Sequence, residues 1–390
     1  MNIPFSKISL SGNETKYLDE VLRSGWLTTS SKVFKFEELF AGFIGAKYAC
    51  AVNSCTAALH LSLEASGINK GDKVLVPSLT FTASAEVIRY MGADPVFTDV
   101  DYDTCLVTPE IVELAIRTNK GIKAIIVVHY GGQSPILTTP DGKGIIDICR
   151  RNNITVIEDA AHAFPTKFDG KYIGTFGDVT CFSFYANKTI TTGEGGMVIT
   201  DNEAIYKRVK LMRLHGITRD IWDRFTSITP AWEYDVVAPG YKYNMPDINA
   251  AIGLAQLEKA AFFRDQRQRC AAFYYENLND TKGIDLPRCQ GLMSDHSWHL
   301  FPIKLTQKAN LNRDEFITQM NKAGIGTSVH YKPLHRMTYY KEKYKLNPQD
   351  YPNTERIWEG TVSLPIYPSL TEDELNLICQ TIRRVIVFGQ

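Results

Sequence analysis

The sequence predicts an α/β fold: a mostly parallel, seven-stranded sheet flanked by helices, followed by a smaller C-terminal α+β domain. Short, nearly continuous apolar runs recur through the first half of the chain, and helical patterns separate the first five of them. Such runs are typical of strands that are buried on both faces of a parallel sheet. The runs span residues 48–52, 73–77, 95–99, 123–128, 154–158, 179–184 and 196–200.

Composition and charge narrow the class of protein. The chain has 390 residues, of which 44% are hydrophobic and 22% charged, as in an ordinary soluble globular protein. Its formal net charge of zero argues against a nucleic-acid or membrane-surface partner, since both require a positive field. The eight cysteines form no C-x-x-C pair and no zinc-type spacing with histidine, so we expect no metal site.

Two further features favour a cytoplasmic location. The first residues lack the apolar segment of a signal peptide, and no window of 18 uncharged apolar residues occurs that could span a membrane. Cys149, Cys181 and Cys379 lie inside apolar runs, where a free thiol behaves as a small hydrophobic group. We therefore expect a protein of the reducing cytoplasm.

The chain before the first strand is predicted as an irregular arm with helices over residues 14–22 and 34–43. Between them lies Gly25-Trp26-Leu27-Thr28-Thr29, an aromatic residue among turn formers. This turn is either a packing element or the lip of a binding site. In the second case Thr28 is a candidate substrate contact.

The chain after the last strand is predicted to turn helical, with a long aromatic loop that is functional or interfacial, as loops of this length usually are. We assign residues 1–257 to a large domain and 258–390 to a small domain. Thr371 and Glu374 are spaced as a capping box at the start of the final helix. The remaining predicted elements are a helix over 205–214, the loop over 217–237, a helix from 248, a strand over 298–303, and helices over 313–323 and 371–387.

The residues that follow each strand carry the candidate chemistry, because ligands of such sheets bind at the carboxyl ends of the strands. The polar segment 53–60 begins a helix and is either an anion site or a plain helix cap. Phe81 follows the second strand, and its ring either faces a ligand or packs in the core. Asp159 is a carboxylate at the end of a buried strand, which is costly without a partner.

Ser183 and Lys188 complete the set at the end of the sixth strand. A lysine beside the glycine cluster 193–196 suits an amine nucleophile, although a surface lysine at a turn is the ordinary alternative. An anion site, a flat ring, an acid and a lysine are the groups that pyridoxal 5′-phosphate requires. Glycine-rich nucleotide loops of either common type are absent from the strand-to-helix turns.

The ordered motifs resemble the DegT/DnrJ/StrS sugar aminotransferases, which are fold type I pyridoxal-phosphate enzymes. The resemblance covers nearly the whole chain, and His129-Tyr130-Gly131-Gly132 is most similar to family members that aminate C4 of a UDP-linked pentose. The motifs are Gly25-Trp26-Leu27-Thr28-Thr29, Glu158-Asp159-Ala160-Ala161-His162-Ala163, Ser183-Phe184-Tyr185-x-x-Lys188, Gly193-Glu194-Gly195-Gly196, Gly240-Tyr241-Lys242-Tyr243-Asn244-Met245 and Leu364-Pro365-Ile366-Tyr367.

The resemblance implies a role for each site residue. Lys188 would bind the cofactor's aldehyde carbon and move the proton, Asp159 would pair with the ring nitrogen, and Phe81 would stack on the ring. His162 would lie near the ring hydroxyl, although a structural histidine is the alternative. Thr56, Ala57 and Ser183 would hold the phosphate.

Two further roles concern the partner subunit and the substrate. The resemblance implies that Asn244 reaches the partner's phosphate in an obligatory homodimer with shared active sites; a helix cap is the alternative. His330 lies in the segment Gly326-Thr327-Ser328-Val329-His330-Tyr331, which resembles the part of the small domain that faces the sugar. We therefore take His330 as a candidate substrate contact.

The predicted function is transfer of an amine from L-glutamate to a keto sugar, with a nucleotide-linked 4-keto sugar as the default. A keto or aldehyde form of a free sugar acid, such as an octulosonate, is the alternative acceptor. Lys167, Arg213, Arg219 and Arg224 could meet the anionic part of either acceptor or lie on the solvated surface. A family sugar dehydratase would carry histidine in place of Lys188, and a regulator without catalysis is a third class.

Overall fold

The large sheet has the seven strands that the sequence predicts, each within one residue of its predicted bounds. The computed structural model describes residues 2–218 and 234–388. The sheet has the order β1-β9-β8-β5-β4-β2-β3. Its strands are β1 Tyr48–Val52, β2 Lys73–Pro77, β3 Asp94–Thr98, β4 Ile122–Val128, β5 Thr155–Asp159, β8 Val179–Ser183 and β9 Gly196–Thr200.

The sheet is mostly parallel, with one strand running against the others. β9 pairs antiparallel with both β1 and β8, whereas the remaining pairs, β8–β5, β5–β4, β4–β2 and β2–β3, are parallel. The parallel strands therefore end at one edge of the sheet. A two-stranded ribbon, β6 Lys167–Phe168 and β7 Lys171–Tyr172, stands apart from it.

Helices cover both faces of the sheet, which explains the continuous apolar strands. Within β1, Ala49 and Ala51 join one buried cluster while Cys50 and Val52 join another on the opposite face. The described helices are α1 Glu14–Ser24, α2 Ser31–Ile44, α3 Cys55–Ala65, α4 Ala83–Tyr90, α5 Pro109–Thr118, α6 Ile145–Arg151, α7 Glu203–Met212, α8 Asp247–Leu257, α9 Ala260–Leu278, α10 Arg313–Lys322, α11 Thr338–Tyr344, α12 Pro352–Gly360 and α13 Glu372–Phe388.

The C-terminal part has its own core around a three-stranded antiparallel sheet. Its strands are β10 Ile284–Asp285, β11 Phe301–Leu305 and β12 Thr361–Leu364. Ile3 of the N-terminal arm packs into this core, and its backbone bonds to Gly324 and Gly326. The predicted capping box is confirmed, since Thr371 Oγ1 accepts from the Glu374 amide and the Thr371 amide donates to Glu374. The division of the chain at residue 257 stays a prediction.

The strand predicted over 298–303 begins three residues later. Trp298 has φ of 51°, which interrupts an extended chain. The amides of Ser297 and Leu300 donate to the carbonyls of Gly132 and Gly131 instead of pairing with a neighbouring strand. Residues 297–300 therefore connect the small sheet to the loop after β4 by backbone hydrogen bonds.

Three observations complete the comparison with sequence. No disulfide bond joins any of the eight cysteines, all of which lie within the described residues. No helix of the described residues is both long and apolar enough to cross a membrane, and no group of three or more metal-binding side chains occurs among them. Most of the predicted loop over 217–237, including Arg219 and Arg224, lies outside the described residues.

Candidate active site

A cavity of about 500 Å³ opens where the parallel strands end. It brings together seven of the ten residues that the sequence singled out, although they come from five separate segments of chain. The seven are Thr56, Phe81, Asp159, His162, Ser183, Lys188 and His330. The structure also places Ser54, Cys55, Tyr185 and Tyr331 on the wall of this cavity.

The start of α3 forms one end of the cavity. Ser54 is its N-cap, and its Oγ accepts from the Ala57 amide at 3.1 Å. Ala57 itself does not line the cavity. The predicted phosphate contact from Ala57 would require replacement of that bond. Free amides at a helix N-terminus favour an anion, as Thr56 and Ser183 beside them would.

The glycine pair at the start of β9 lets the backbone come close to this helix end. A Cβ on Gly196 would lie 2.6 Å from the carbonyl carbon of Ser54, and one on Gly195 would lie 2.7 Å from Cε of Met245. Neither space accepts a side chain without displacement of backbone or core. The glycine cluster thus shapes the cavity wall next to the anion site.

Asp159 ends β5 with its carboxylate held on two sides. Its Oδ2 accepts from Ser84 Oγ at 2.7 Å, and its Oδ1 accepts from the Ala161 amide at 3.1 Å. Only 6% of Asp159 is exposed, so the remaining lone pairs face the cavity rather than bulk water. A fixed carboxylate of this kind can hold a protonated ring nitrogen.

Lys188 lies in the turn after β8, and its amide donates to the Tyr185 carbonyl at 3.0 Å. Burial lowers the pKa of Lys188 to about 8, although nearby Cys55 and Asp159 act in the opposite direction. No described residue accepts a hydrogen bond from its Nζ. A large neutral fraction near pH 8 suits an amine that attacks a carbonyl.

His162 is held at both ring nitrogens. Nδ1 accepts from the Gly131 amide at 3.2 Å, and Nε2 lies 2.9 Å from the Tyr331 hydroxyl. Burial, followed by the charges of Lys188 and His330, holds the pKa of His162 well below its usual value. The structural reading of His162 is supported by these bonds, and its cofactor contact stays a prediction, although the residue lines the cavity.

Phe81 and His330 also line the cavity, but Phe81 is exposed whereas His330 is buried. The Phe81 ring is 57% exposed, so core packing is excluded, and its centroid lies 5.8 Å from that of Tyr331. His330 Nδ1 lies 2.8 Å from Ser363 Oγ, and burial lowers the pKa of His330 to about 3. An exposed ring at a cavity mouth marks a surface that a ligand can cover.

Thr28 and Asn244 do not line this cavity. Asn244 Nδ2 donates to Thr29 Oγ1 at 2.7 Å, and its Oδ1 accepts from Lys242 Nζ at 2.5 Å. The alternative reading of Asn244 as a helix cap is wrong, since the cap of α8 is Pro246. Its predicted reach to a partner's phosphate stays a prediction, as does the substrate role of Thr28.

Two of the four candidate cations are engaged elsewhere. Arg213 is buried, pairs with Glu37 and donates to the Ala51 carbonyl at 2.8 Å. Lys167 Nζ lies 4.8 Å from the ring centroid of Tyr172. Neither lines the cavity, and the other two, Arg219 and Arg224, lie outside the described residues.

Tyr331 and Ser84 are the site residues that sequence reasoning missed. Tyr331 follows the predicted His330, so its place in the same motif was a usable signal. Ser84 is the second residue of α4, beyond the strand-end positions, and only the contact with Asp159 reveals its role. A helix N-terminus, a fixed carboxylate, a lysine of lowered pKa and an exposed aromatic ring together fit pyridoxal phosphate.

Comparisons with known proteins agree with this site. The model of the DegT/DnrJ/EryC1/StrS aminotransferase family matches residues 9–383. The chain is 39% identical over 386 residues to the spore coat polysaccharide biosynthesis protein SpsC of Bacillus subtilis, covering 98% of this chain and 97% of that one.

Two solved structures share the fold over almost the full length. Spr1654 of Streptococcus pneumoniae in its PLP form has a TM-score of 0.87 and 30% identity, covering 99% of this chain and 98% of that one. PseC of Helicobacter pylori, an aminotransferase of pseudoaminic acid biosynthesis, has a TM-score of 0.88 and 27% identity, covering 99% of both chains. This chain belongs to the DegT/DnrJ/EryC1/StrS aminotransferase family, a family of pyridoxal-phosphate enzymes that includes sugar aminotransferases.

Proposed function

We propose that the protein moves the amine of L-glutamate to a keto sugar, by default a nucleotide-linked 4-keto sugar used for surface polysaccharide or lipopolysaccharide. The observation that carries this proposal is the cavity that joins Lys188, Asp159 and the α3 N-terminus. The likeness to SpsC and PseC supports a product for polysaccharide or related sugar synthesis.

Different residues of the cavity would bind different parts of the cofactor. Pyridoxal phosphate, when bound, supplies the reactive carbonyl and an electron sink. Thr56, Ser183 and the free amides of α3 would bind its phosphate. Asp159 would keep the proton on its ring nitrogen, and Phe81 would cover one face of its ring.

Lys188 has two tasks in the proposed mechanism. Its neutral amine is the nucleophile that attaches the cofactor, which the lowered pKa favours. When an amino donor occupies the cavity, Nζ of Lys188 would be available as a base beside it. It would then take the proton from the donor's α-carbon and return a proton to the acceptor's carbonyl carbon in the second half of the cycle.

The acceptor's anionic group would be met outside the described cavity wall. Among its lining residues, Lys188 is the single lysine or arginine, and Lys188 is committed to chemistry. Arg219 and Arg224 are candidates for this contact, and so are cationic residues of a partner subunit. We propose a homodimer in which Asn244 reaches the partner's phosphate, and a cytoplasmic location where glutamate is available.

A two-stage reaction tests this function. The holoenzyme is first incubated with L-glutamate alone, and the loss of its visible absorbance, together with 2-oxoglutarate release, shows the first half-reaction. Candidate keto sugars are then added separately, and return of the absorbance identifies the acceptor. We expect a response to UDP- or dTDP-linked 4-keto sugars.

Each other outcome would select a different function. A response only to a keto-octulosonate would replace the nucleotide sugar by the free sugar acid. Elimination of water from a sugar without amine transfer would indicate a dehydratase. Cofactor binding without reaction with any amino donor would indicate a regulator.

A further inference from the structure

A second, much smaller cavity adjoins the turn that carries Lys188. Its lining includes residues 186–189 of that turn, residues 6–9 of the N-terminal arm, and Arg267 of α9. Asn187 and Lys188 also line the active-site cavity, so the turn contacts both cavities. The small cavity has a volume of about 10 Å³, which is room for about one water molecule.

Arg267 is a buried cation whose guanidinium is only partly bonded. Its Nη1 donates to the carbonyls of Ile366 at 2.8 Å and Trp298 at 3.3 Å. The residue is 3% exposed, yet its Nε has no acceptor among the described residues. Burial lowers the pKa of Arg267 to about 10, although Cys270 acts in the opposite direction, so the guanidinium is charged at pH 7. A buried, charged donor of this kind is costly to leave without an acceptor.

Asn187 supplies the complementary atom. Its Oδ1 is buried and receives no hydrogen bond from the described residues. Eleven buried side-chain atoms of the described residues lack a partner, and only the Asn187 and Arg267 atoms belong to residues that line the small cavity. An amide oxygen accepts and a guanidinium N–H donates, so the two atoms match as the two ends of one bridge.

Water is the ligand that this pair of atoms favours. A buried water needs two to four polar partners, and it can accept from one group while donating to another. A chloride ion would suit Arg267 but not the amide oxygen of Asn187, and a metal cation would suit the oxygen but not Arg267. Ser6 and Ser9 of the arm also line the cavity, and their hydroxyl and carbonyl groups are further partners for a water.

We propose that one ordered water molecule bridges Arg267 Nε and Asn187 Oδ1, and that both side chains are positioning residues for Lys188. Arg267 is the fixed end of the bridge, because its Nη1 is bound to carbonyls of two other segments. The water connects this anchor to Asn187, which directly precedes Lys188 in the turn. The role of Lys188 as the reacting amine rests on the proposed function, whereas the water site does not.

A crystal structure of the holoenzyme, at a resolution that shows ordered waters, tests the site directly. We expect one density peak in the small cavity, at a hydrogen-bond distance of about 2.7–3.2 Å from both Arg267 Nε and Asn187 Oδ1. Three results would overturn the proposal: no peak, a peak that contacts only one of the two atoms, or a direct bond between the two side chains. None of these results depends on the enzyme's activity.

Asn187→Leu tests the positioning role, because leucine is similar in size and lacks the acceptor. We expect the water to be lost and the maximal rate of cofactor attachment above pH 8 to fall about tenfold, since the amine is held less well in its reacting position. The midpoint of the pH profile should stay near 8, because the pKa of Lys188 is lowered mainly by burial. A shifted midpoint with an unchanged maximal rate would show that Asn187 acts on the charge of Lys188, and would overturn the positioning role.

Two further variants complete the experiment. Asn187→Asp keeps an oxygen acceptor, so the water and most of the maximal rate should return. Asn310→Leu makes the same change at an exposed asparagine outside both cavities and should leave the rate unchanged. A rate as low as that of Asn187→Leu in either variant would contradict the positioning role. Failure of the wild-type holoenzyme to aminate any keto sugar would refute the proposed function, but the crystallographic water would still support the site.

Discussion

Ser78 Oγ lies 2.6 Å from His335 Nδ1 in the protein interior, which joins the end of β2 to the segment that begins with His330 and Tyr331. His335 Nε2 lies 2.6 Å from Glu355 Oε1, and Glu355 also pairs with Arg336. The order of groups matches a serine hydrolase triad. The serine is fully buried and accepts from the His335 amide, so the contact fastens two parts of the active site and is not a nucleophile.

We expect Ser78→Ala to destabilise the protein by about 1–3 kcal/mol, because the buried His335 amide loses its acceptor and His335 Nδ1 loses its bonding partner. Urea unfolding followed by circular dichroism measures the change. Ser11→Ala, at an exposed serine, is the matched control and should change stability by less than about 0.5 kcal/mol. Equal urea midpoints for Ser78→Ala and Ser11→Ala would show that the buried Ser78–His335 contact does not contribute to stability.

Lys188→Ala should abolish multiple-turnover transamination, with a loss of at least about 10³-fold in kcat, since the nucleophile and the proton carrier are removed together. The rate is measured by 2-oxoglutarate release with glutamate and a responsive keto sugar. Lys171→Ala, at an exposed lysine outside the cavity, should retain the wild-type rate. Full turnover by Lys188→Ala would refute the mechanism.

The attachment of pyridoxal phosphate to the apoenzyme should accelerate as pH rises through about 8 and level off above it. The pKa of Lys188 is lowered to about 8, mainly by burial, and the neutral amine that attacks the aldehyde increases as pH rises through that value. Stopped-flow absorbance of cofactor binding between pH 6 and 10 gives the profile. If the rate of cofactor attachment still rose steeply above pH 10, the pKa of Lys188 would not be lowered and the prediction would be wrong.

Stability should fall as the solution is acidified below the usual pKa of histidine. Burial lowers the pKa of His296 to about 3 from an ordinary value near 6.5. Between these two pH values His296 is therefore protonated in the unfolded chain and neutral in the folded protein. The free energy of unfolding therefore has no penalty from His296 above about pH 6.5. As pH falls from there toward 3, this residue lowers it by about 1.4 kcal/mol per pH unit.

A variant isolates this contribution. His296 Nδ1 accepts from the Trp298 amide, and Asn at this position can keep that acceptor without titrating. We expect His296→Asn to lower proton uptake on unfolding at pH 5 by about one proton, measured from the pH dependence of the unfolding free energy. The comparison is His215→Asn, at an exposed histidine, and an equal decrease in both variants would contradict the assignment.

The sequence by itself determined the large sheet and most of the cavity. Seven apolar runs specified seven strands, because strands buried on both faces must be continuously apolar. Residues directly after those runs, such as Asp159 and Lys188, were predictable because strand ends meet at one edge. The family motifs then ordered these residues around one cofactor.

Only the tertiary structure decided how those residues are supported. The Ser84–Asp159, Gly131–His162 and Ser78–His335 bonds join positions 31 to 257 residues apart, and no local pattern encodes such pairs. The late start of β11 likewise depends on contacts between segments, because Ser297 and Leu300 bond to the loop after β4. Local periodicity specifies which side chains face inward, but the direction of a hydrogen bond depends on which donor the folded chain places opposite each acceptor.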